Sequence, residues 1–530
     1  MEKYICYNNL AEMIEKSAEK FGGKIAFSLK EKNVSYNDLL SDVKAVSRLF
    51  SSRGYVGKRI ALIGKNCYEW MLVHLATMYT GSVLVPLDKG LKDYEIQSQI
   101  SRSKADVLFV AGKMELPEMD INIESASNEL LLEAKALPQA ENEKYDIDNN
   151  KMSMLLFTSG TTDNSKAVML SQYNITSNIY ALSYHEHFTS DDVSLIILPL
   201  HHTFGMVGLL LFLSLGMNNA FCDGLKITKS IDEHKATILV GVPLIADAIY
   251  KTATRKINEM GMENLINTLI KVSRVLLKLR IDLRKLFFGK ITKQIGQSLR
   301  LIIMGGAALN PDVEQWFHDI GFFTVQGYGL TECSPVLCAE NPENMRLGSV
   351  GVAMPGIDIR IDNPDETGIG EIIAKGDNIM LGYYENQELT DEVLKGGYFH
   401  TGDLGYIDED GFIWITGRKK NMIALKNGKN VFPEELEELI YKYDFIKECM
   451  VYGENDGDKD LISAYIVCDK DKFPGKTDEQ IKEIVDKTIK EINSKLISYK
   501  QIRNVIVSDK PLERTSTFKI KRNQKPNNNL

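Results

Sequence analysis

The 530-residue sequence lacks several features that would point to particular classes of protein. It has no positive net charge, because 63 basic side chains oppose 72 acidic ones and leave a formal charge of −9. Nucleic acid is therefore not expected as the main partner, since binding to a phosphate backbone requires a basic surface. The seven cysteines include no CxxC pair. Their scatter argues against a structural zinc site and favours reduced thiols.

The sequence also has no uninterrupted apolar run long enough to cross a bilayer. Its most apolar window, residues 195–217, is broken by a proline, two histidines and a glycine. This pattern predicts a buried strand, a turn and a core helix. The first 21 residues carry glutamates through their apolar positions, so no signal peptide is expected. We therefore expect a cytoplasmic globular protein.

Short apolar runs separated by segments of helical spacing predict an α/β body. Residues 60–64 are apolar, 68–79 have helical spacing and 83–87 are apolar again, which predicts a βαβ unit with parallel strands. Similar apolar runs recur at 107–110, 154–157, 195–198, 237–241 and 301–304. Runs that are apolar throughout, without alternation, are typical of parallel strands buried on both faces.

The length and the change of pattern along the chain predict more than one domain. We expect a large, multi-layer N-terminal domain with mostly parallel sheets (1–419), which includes a small β-rich subdomain at about 350–417. Glycine-punctuated strands after Gly368 indicate that subdomain. After Lys420 a compact mixture of helices and strands predicts a small α+β C-terminal domain (420–530).

Residues 251–300 differ from the rest in charge. They hold twelve Lys and Arg against three Asp and Glu, and no proline occurs between Pro243 and Pro311. A helical apolar stripe runs through Leu265, Leu269, Val272, Val275, Leu276 and Leu279. Such a helix could lie on an anionic membrane surface. We favour a helical cover packed on its own domain over that membrane contact.

The segment Thr158–Lys166 (TSGTTDNSK) places hydroxyls, a glycine and a lysine between two apolar runs. A loop rich in hydroxyl and N–H donors at the end of a strand suits a polyphosphate. A Walker-type loop is excluded, because Ser165 stands where its second glycine belongs and Ala167 where Ser or Thr should follow the lysine. Taken alone, the segment could also be a polar connection between strands.

Two further motifs carry groups that a nucleotide requires. The segment Gln326–Glu332 (QGYGLTE) follows a predicted strand and offers an aromatic face, a hydroxyl and a carboxylate that could bind Mg²⁺. In the second motif, residues 398–408, we expect Asp403 to lie in a tight turn flanked by glycines. Its carboxylate could accept hydrogen bonds from ribose hydroxyls or could cap its own turn.

The combined motifs resemble those of the adenylate-forming superfamily, which includes acyl-CoA synthetases, adenylation domains and luciferases. The likeness is nearly end to end and in the family's order, and the chain looks most like the bacterial long-chain acyl-CoA synthetases. The matching segments are FTSGTTDNSKAVMLS, LPLHHTFGM, GGAAL, QGYGLTE, YFHTGDLGYIDEDG, GRKKNMI and PLERTSTFKIKR.

The resemblance implies a carboxylic acid activated by MgATP to an acyl-adenylate, which then passes to the thiol of CoA. It also implies roles for individual residues. The predicted nucleotide-binding residues are Thr158, Ser159, Gly160, Thr161, Thr162, Lys166, Gly306, Ala307, Tyr328, Thr331, Asp403, Arg418 and Lys519. Among these, Thr331 would contact the α-phosphate, and Lys519 would bridge the carboxylate and the α-phosphate as the adenylating lysine. Glu332 would bind Mg²⁺, and His202 would form a gate beside the acyl pocket.

The same resemblance implies that the C-terminal domain is a mobile lid. Lys420 would be its hinge, and Gly428 would line the thiol channel after rotation. Adenylation requires Lys519 in the site, whereas thioester formation requires it withdrawn so that the thiol can enter.

Several positions depart from the family pattern. Asp163, Ser165 and Ala167 replace the usual glycine, proline and glycine, and Glu513 and Phe518 are unusual in the terminal motif. We expect a ligase for a medium- or long-chain fatty acid. Two alternatives stay open: an acyl or aryl acid ligase that loads the phosphopantetheine of a carrier protein, and a catalytically weakened homologue that binds acyl groups or nucleotides.

Overall fold

The structure is a computed structural model. It describes residues 6–139, 144–158, 165–185, 187–222, 226–425, 429–456, 459–514, 520 and 522. The chain divides into two compact units: unit 1 comprises Met1–Ile359 and Ala374–Phe399, and unit 2 comprises Arg360–Ile373 and His400–Leu530.

The helices follow in chain order. They are α1 (Leu10–Phe21), α2 (Tyr36–Ser52), α3 (Tyr68–Tyr79), α4 (Asp93–Ser103), α5 (Asn128–Ala136), α6 (Gln172–His185), α7 (Thr203–Ser214), α8 (Ile227–His234), α9 (Pro243–Glu259), α10 (Glu263–Lys278), α11 (Arg284–Gly296), α12 (Pro311–Ile320), α13 (Gln387–Val393), α14 (Pro433–Tyr441) and α15 (Asp478–Ser494).

The strands are interleaved with these helices. They are β1 (Ile25–Ser28), β2 (Asn33–Ser35), β3 (Arg59–Gly64), β4 (Val83–Leu87), β5 (Val107–Ala111), β6 (Asn122–Ala126), β7 (Met152–Phe157), β8 (Ala167–Ser171), β9 (Val193–Ile196), β10 (Asn218–Phe221), β11 (Ile238–Gly241), β12 (Leu301–Gly305), β13 (Phe323–Gly329), β14 (Val336–Ala339), β15 (Val352–Ala353), β16 (Asp358–Asp362), β17 (Gly370–Lys375), β18 (Gly382–Tyr383), β19 (Leu394–Lys395), β20 (Tyr398–Ile407), β21 (Ile413–Arg418), β22 (Ile423–Ala424), β23 (Asn430–Val431), β24 (Ile446–Asp456), β25 (Lys459–Cys468) and β26 (Ile502–Ser508).

Unit 1 is built on two large mixed sheets. Among the described residues, one sheet has the order β18-β8-β7-β4-β3-β5-β6, and the other has the order β15-β14-β13-β12-β11-β9-β10-β1-β2. The predicted βαβ unit is confirmed, because β3 and β4 run parallel in register from Arg59↔Val83. The α/β fold class is thereby confirmed. The strands read as apolar throughout because helices cover both faces of these sheets.

The window at residues 195–217 folds as predicted, with β9 entering the second sheet and α7 lying buried behind it. Helices α9 to α12 pack on β11 and β12 around Phe288, Trp316 and Phe317. In the described part of the chain, no helix is long and apolar enough to cross a membrane.

The apolar stripe of residues 265–279 does not pack as we expected. Ile266 and Ser273 are the buried residues of α10. Leu269 and Leu276 are only half-buried. Leu265, Val272, Val275 and Leu279 remain exposed, with 52%, 43%, 60% and 65% of their surface accessible. The predicted helical cover on its own domain is therefore confirmed, since Ile266 belongs to the buried core, but the expected burial of these four stripe side chains is wrong, because the buried side of the helix is turned away from them.

Unit 2 contains a three-stranded sheet in the order β24-β25-β26. Strands β24 and β25 are antiparallel, β25 and β26 are parallel, and α14 and α15 cover the apolar face through residues such as Leu436 and Val485. A further sheet has the order β16-β17-β20-β19, with β21 beside β20. The predicted mixture of helices and strands after Lys420 is present.

Candidate functional site

The ends of the predicted phosphate loop are held together in unit 1. Strands β7 and β8 form an antiparallel pair that ends at Phe157↔Ala167. Beyond this pair, the Thr158 N–H donates to the carbonyl oxygen of Lys166 at 2.9 Å. The hydroxyl of Thr158 also points to that carbonyl, at 3.4 Å. The loop therefore leaves and re-enters the sheet at one place, with Thr158 and Lys166 side by side.

Several predicted site residues lie outside the described residues. They are Ser159, Gly160, Thr161, Thr162, Asp163, Gly428, Phe518 and Lys519.

Arg102, to which the sequence analysis assigned no role, contacts both flanks of the loop. It lies near the end of α4 and donates from Nη1 to Ser165 Oγ at 2.9 Å and from Nη2 to the Ser165 carbonyl at 2.5 Å. Its guanidinium also stacks over the ring of Phe157, 5.1 Å from the centroid. The superfamily that the sequence resembles usually has proline at position 165, and proline has no hydroxyl. Ser165 therefore supplies Arg102 with an acceptor that the usual residue would lack.

A second contact chain links Lys166 to the predicted magnesium ligand through Tyr383. Lys166 Nζ lies 3.4 Å from the Tyr383 hydroxyl and 4.8 Å from the ring centroid. The same hydroxyl donates to Glu332 Oε1 at 2.9 Å. Burial and the negative charge of Glu332 raise the pKa of Tyr383, so the phenol stays protonated and remains a donor. Lys166 and Glu332, 166 positions apart, thus share one partner.

The sequence analysis assigned no role to Tyr383. Strand β18 pairs with β8 through Tyr383↔Val168, and this pairing brings the phenol to the loop. Gly382 before it has a φ of +137°, and a Cβ at that position would lie 2.7 Å from Thr390 Cγ2. A glycine is therefore needed at position 382, but the Gly382–Tyr383 sequence alone does not indicate that the tyrosine contacts Glu332.

The predicted adenine residues gather at the ends of two neighbouring strands. Strands β12 and β13 are parallel, with Gly305↔Gly327 in register. Gly306 therefore follows the end of β12 close to Tyr328 on β13, and Ala307 comes next. Gly306 has a φ of +82°, a conformation that favours glycine.

The strand before Thr331 is longer than predicted. Strand β13 continues through the QGYG motif to Gly329, because it pairs with β14 on its other side. At Gly329 a Cβ would lie 1.8 Å from the Pro335 carbonyl oxygen, so the missing side chain allows the strands to approach. Thr331 and Glu332 then begin a short 3-10 helix, in which Glu332 is buried.

His202 lies at the N-terminus of α7, as the residue before Thr203. The ring of His201 packs against it with centroids 4.2 Å apart and the ring planes tilted by 50°, and His201 Nε2 lies 3.5 Å from Asp88 Oδ2. Within the described part of the chain, ligand atoms of these three residues lie within 4.8 Å of one another, a donor set that suits a transition metal ion.

An apolar pocket lies between β9 and α7, the helix that His202 begins. Its lining is Ser194, Leu195, Ile196, Ile197, Leu198, Gly205, Gly208, Leu209, Phe212 and Val240. None of these side chains is charged, so the pocket offers an apolar environment.

In unit 2 the structure joins two predicted ribose residues. Asp403 and Arg418 are direct partners across β20 and β21, and Arg418 Nε lies 2.9 Å from Asp403 Oδ1. The predicted tight turn at Asp403 is wrong, because β20 continues through it. At Gly405 a Cβ would lie 2.1 Å from the Trp414 carbonyl oxygen, so this glycine permits close strand pairing and does not form a turn.

The predicted hinge residue, Lys420, lies two positions after Arg418. Lys420 lies in a 3-10 helix, Lys419–Asn421, at the end of β21, and its side chain is exposed. The adjacent Lys419 donates to the buried carboxylate of Glu371 at 2.9 Å.

The flanks of the segment that carries Lys519 are anchored within unit 2. Arg514 and Ile520 form an antiparallel bridge. Arg514 pairs with Glu448 at 3.1 Å, and Arg522 donates to both carboxylate oxygens of Glu437 at 2.8 and 2.5 Å. Burial raises the pKa of Glu437, and the Arg522 guanidinium opposes that shift.

Comparison with known proteins identifies relatives along most of the chain. The AMP-binding enzyme family model matches residues 14–384, and the model of the AMP-binding enzyme C-terminal domain matches 420–528. Long chain acyl-CoA synthetase 1 of Arabidopsis thaliana is 28% identical over 92% of this chain and 85% of its own length. Feruloyl-CoA synthase of an Amycolatopsis species is 28% identical over 75% of each chain.

Solved structures show the same fold. The o-succinylbenzoate CoA synthetase MenE of Bacillus subtilis, with its acyl-adenylate intermediate, matches with a TM-score of 0.79 and 23% identity over 97% of both chains. The same enzyme has been seen with ATP and a magnesium ion. The chain belongs to the AMP-binding enzyme family, the adenylate-forming acid–thiol ligases, and is related to the long-chain acyl-CoA synthetases.

Proposed function

We propose that this protein activates a medium- or long-chain fatty acid with MgATP and transfers the acyl group to CoA. The observation that carries the proposal is the link from Lys166 through Tyr383 to Glu332. It joins a cation and a carboxylate beside a hydroxyl-rich loop, and a metal–triphosphate complex needs both signs of charge in one place.

The first half-reaction brings two anions together. A carboxylate oxygen of the acid attacks the α-phosphorus, and the bond to pyrophosphate breaks. Lys166 would bind the β- and γ-phosphates together with Thr158, Ser159, Gly160, Thr161 and Thr162. Glu332 would hold Mg²⁺, whose charge offsets that of the triphosphate, and the hard oxygen donor of a carboxylate suits this ion. Thr331 would contact the α-phosphate, and Lys519 would neutralise the charge that develops between the reacting groups.

The nucleoside would be held through its base and its ribose. Gly306, Ala307 and Tyr328 would frame the adenine, where two glycine-containing strand ends leave room for a planar base. Asp403 would accept hydrogen bonds from the ribose hydroxyls, and Arg418 would orient this carboxylate through their ion pair.

In the second half-reaction the sulfur of CoA attacks the acyl carbonyl carbon, AMP leaves and the thiol proton passes to solvent. Lys519 would have to withdraw, which would require a hinge at Lys420, and Gly428 would line the path of the thiol. Division of the chain into residues 1–419 and 420–530 follows from this proposal.

The fatty acyl group would enter past His202, its proposed gate at the start of α7. The relationship to long-chain acyl-CoA synthetases supports the same substrate class. The relationship to feruloyl-CoA synthase favours an aryl acid as the second candidate.

Pyrophosphate release tests the proposal. The protein is incubated with ATP, Mg²⁺ and fatty acids of graded chain length, with benzoates and cinnamates in parallel, each with and without CoA. We expect release that increases with chain length and thioester formation when CoA is present. Faster turnover of aromatic acids would mean that the substrate is an aryl acid and not a fatty acid. Release without transfer to CoA would point to a carrier-protein thiol, and no release with any acid would indicate a weakened homologue.

A further inference from the structure

The outer face of α10 presents apolar side chains to solvent. We call Leu265, Val272, Val275 and Leu279 the α10 stripe; between 43% and 65% of each residue is exposed. At about 100° per residue these four positions fall within an arc of roughly 80° on the helix. They therefore form one apolar strip of about four turns, in which Thr268 is the one polar position.

Lysines border this strip on the side away from the protein. Viewed down the helix axis, Lys271 and Lys278 lie about 100° from the centre of the α10 stripe. Both are exposed. Their ammonium groups have no ion-pair partner among the described carboxylates, whereas Arg274 is held by Asp319 at 2.6 Å. Long side chains beside an apolar strip can extend their charges away from it.

The next helix continues the pattern. Leu286 of α11 is 77% exposed and lies on the face opposite the buried Phe288. Lys290 and Lys293 share its outward face at helical spacing and are exposed. Residues 251–300 hold twelve basic and three acidic side chains in a chain whose net charge is −9. Positive charge is thus concentrated where the apolar side chains are exposed.

We propose that α10 and α11 dock this protein on the surface of an anionic lipid bilayer. An amphipathic helix with apolar side chains on one strip and lysines beside it binds in the interface plane of such a membrane. Each lysine near the surface adds attraction to anionic headgroups. The acidic remainder of the chain is repelled, so this face is the one turned toward the lipid.

Charge favours the membrane over a second copy of this chain. A symmetric dimer through the same face would bring the lysines of two copies together around the apolar strip, and like charges oppose such contact. The docking goes beyond the proposed reaction and holds whichever acid the enzyme activates.

Co-sedimentation with vesicles tests the docking. The full-length protein is mixed with vesicles of phosphatidylcholine alone and with vesicles that contain about one-third phosphatidylserine. We expect binding to the anionic vesicles, weaker binding as salt increases, and little binding to the neutral ones. The triple variant L265Q/V275Q/L279Q should lose at least tenfold in affinity, and K271Q/K278Q should lose the preference for anionic lipid.

Leu132→Gln is the matched control, because Leu132 is an exposed leucine of another helix, α5, with 60% of its surface accessible. It should bind vesicles like the unmodified protein, and a thermal melt of every variant checks that the fold is retained. No binding to anionic vesicles, or equal binding by the triple variant, would overturn the proposal. A dimer that the triple variant converts to a monomer in sedimentation velocity, without lipid, would also overturn it, because the face would then join two copies.

Discussion

Replacement of Arg102 by methionine tests whether the ends of the phosphate loop must be anchored. The variant loses two hydrogen bonds to Ser165, at 2.9 and 2.5 Å, and the stacking over Phe157 at 5.1 Å. Hydrogen bonds to charged groups contribute about 1.5–3 kcal/mol, but Arg102 is partly exposed, so we take about 2 kcal/mol for the whole contact. That amount corresponds to roughly a 30-fold change in an equilibrium constant.

This loss should appear in the binding of ATP. If the loop grips the β- and γ-phosphates only when its ends are fixed, the KM for ATP should rise about tenfold to thirtyfold while kcat at saturating ATP changes little. Acid-dependent pyrophosphate release measures both parameters. Thioester formation from a supplied acyl-adenylate should be spared, because that substrate lacks the two outer phosphates. Equal loss in both half-reactions, or an unchanged KM, would refute the anchoring role.

A double-mutant cycle separates the contact from other effects of the substitution. Ser165→Ala removes the hydroxyl acceptor but keeps the carbonyl, so it should cost less than Arg102→Met. In that background Arg102→Met should lose about 0.5–1.5 kcal/mol less than in the native chain. Lys104→Met, one position beyond α4, is the control, since its exposed pairing with Glu385 contributes little. Strict additivity of the two changes would mean that Arg102 does not act through the Ser165 hydroxyl.

Four further predictions follow from the proposed site and its support. Lys519→Ala should abolish adenylate formation but spare thioester formation from supplied acyl-adenylate; similar losses in both assays would contradict the proposed division of labour. Asp163→Gly should lower the KM for ATP, because it removes a negative charge beside the triphosphate, and an unchanged value would show that this carboxylate points away. Glu332→Gln should raise at least tenfold the Mg²⁺ concentration needed for half-maximal pyrophosphate release, since an amide oxygen binds this ion more weakly; an unaltered Mg²⁺ titration would count against Glu332 as the ligand. Burial and the charge of Glu340 raise the pKa of Glu314 to about 9, so the folded protein keeps a proton that the unfolded chain releases above its ordinary value of 4.5. The stabilisation from this protonated group is therefore complete below pH 4.5 and declines as the pH rises toward 9. In urea titrations, the free energy of unfolding of Glu314→Gln should fall less between pH 5 and pH 8 than that of the native protein. An equal fall in both proteins would refute the assignment.

The sequence predicted local structure well where burial alone decides it. The βαβ unit at residues 60–87 was predicted to within a residue, because strands covered on both faces must be apolar and α3 must match them in spacing. Glycines were less informative. Gly329 and Gly405 look like turn residues in the sequence, yet both lie within paired strands where a neighbouring carbonyl occupies the space of a Cβ.

The candidate site was only partly predictable, for a physical reason. Hydroxyls, a lysine and a carboxylate in the motifs were compatible with nucleotide chemistry, and the resemblance of the ordered motifs to the adenylate-forming superfamily indicated the family. Tyr383 and Arg102 could not be found this way, because each acts through partners that are distant in sequence and become neighbours only when strands pair or a helix packs.

The sequence by itself determined the α/β class and the basic, apolar character of residues 251–300, since these depend on residue type and local period, and its motifs carried the resemblance to the adenylate-forming superfamily. Only the tertiary structure decided which groups meet and which face is left uncovered. It connected Lys166 to Glu332 through a phenol and left the α10 stripe exposed. Periodicity fixes which side chains share a face of a helix, but the packing of neighbouring elements determines whether that face is buried.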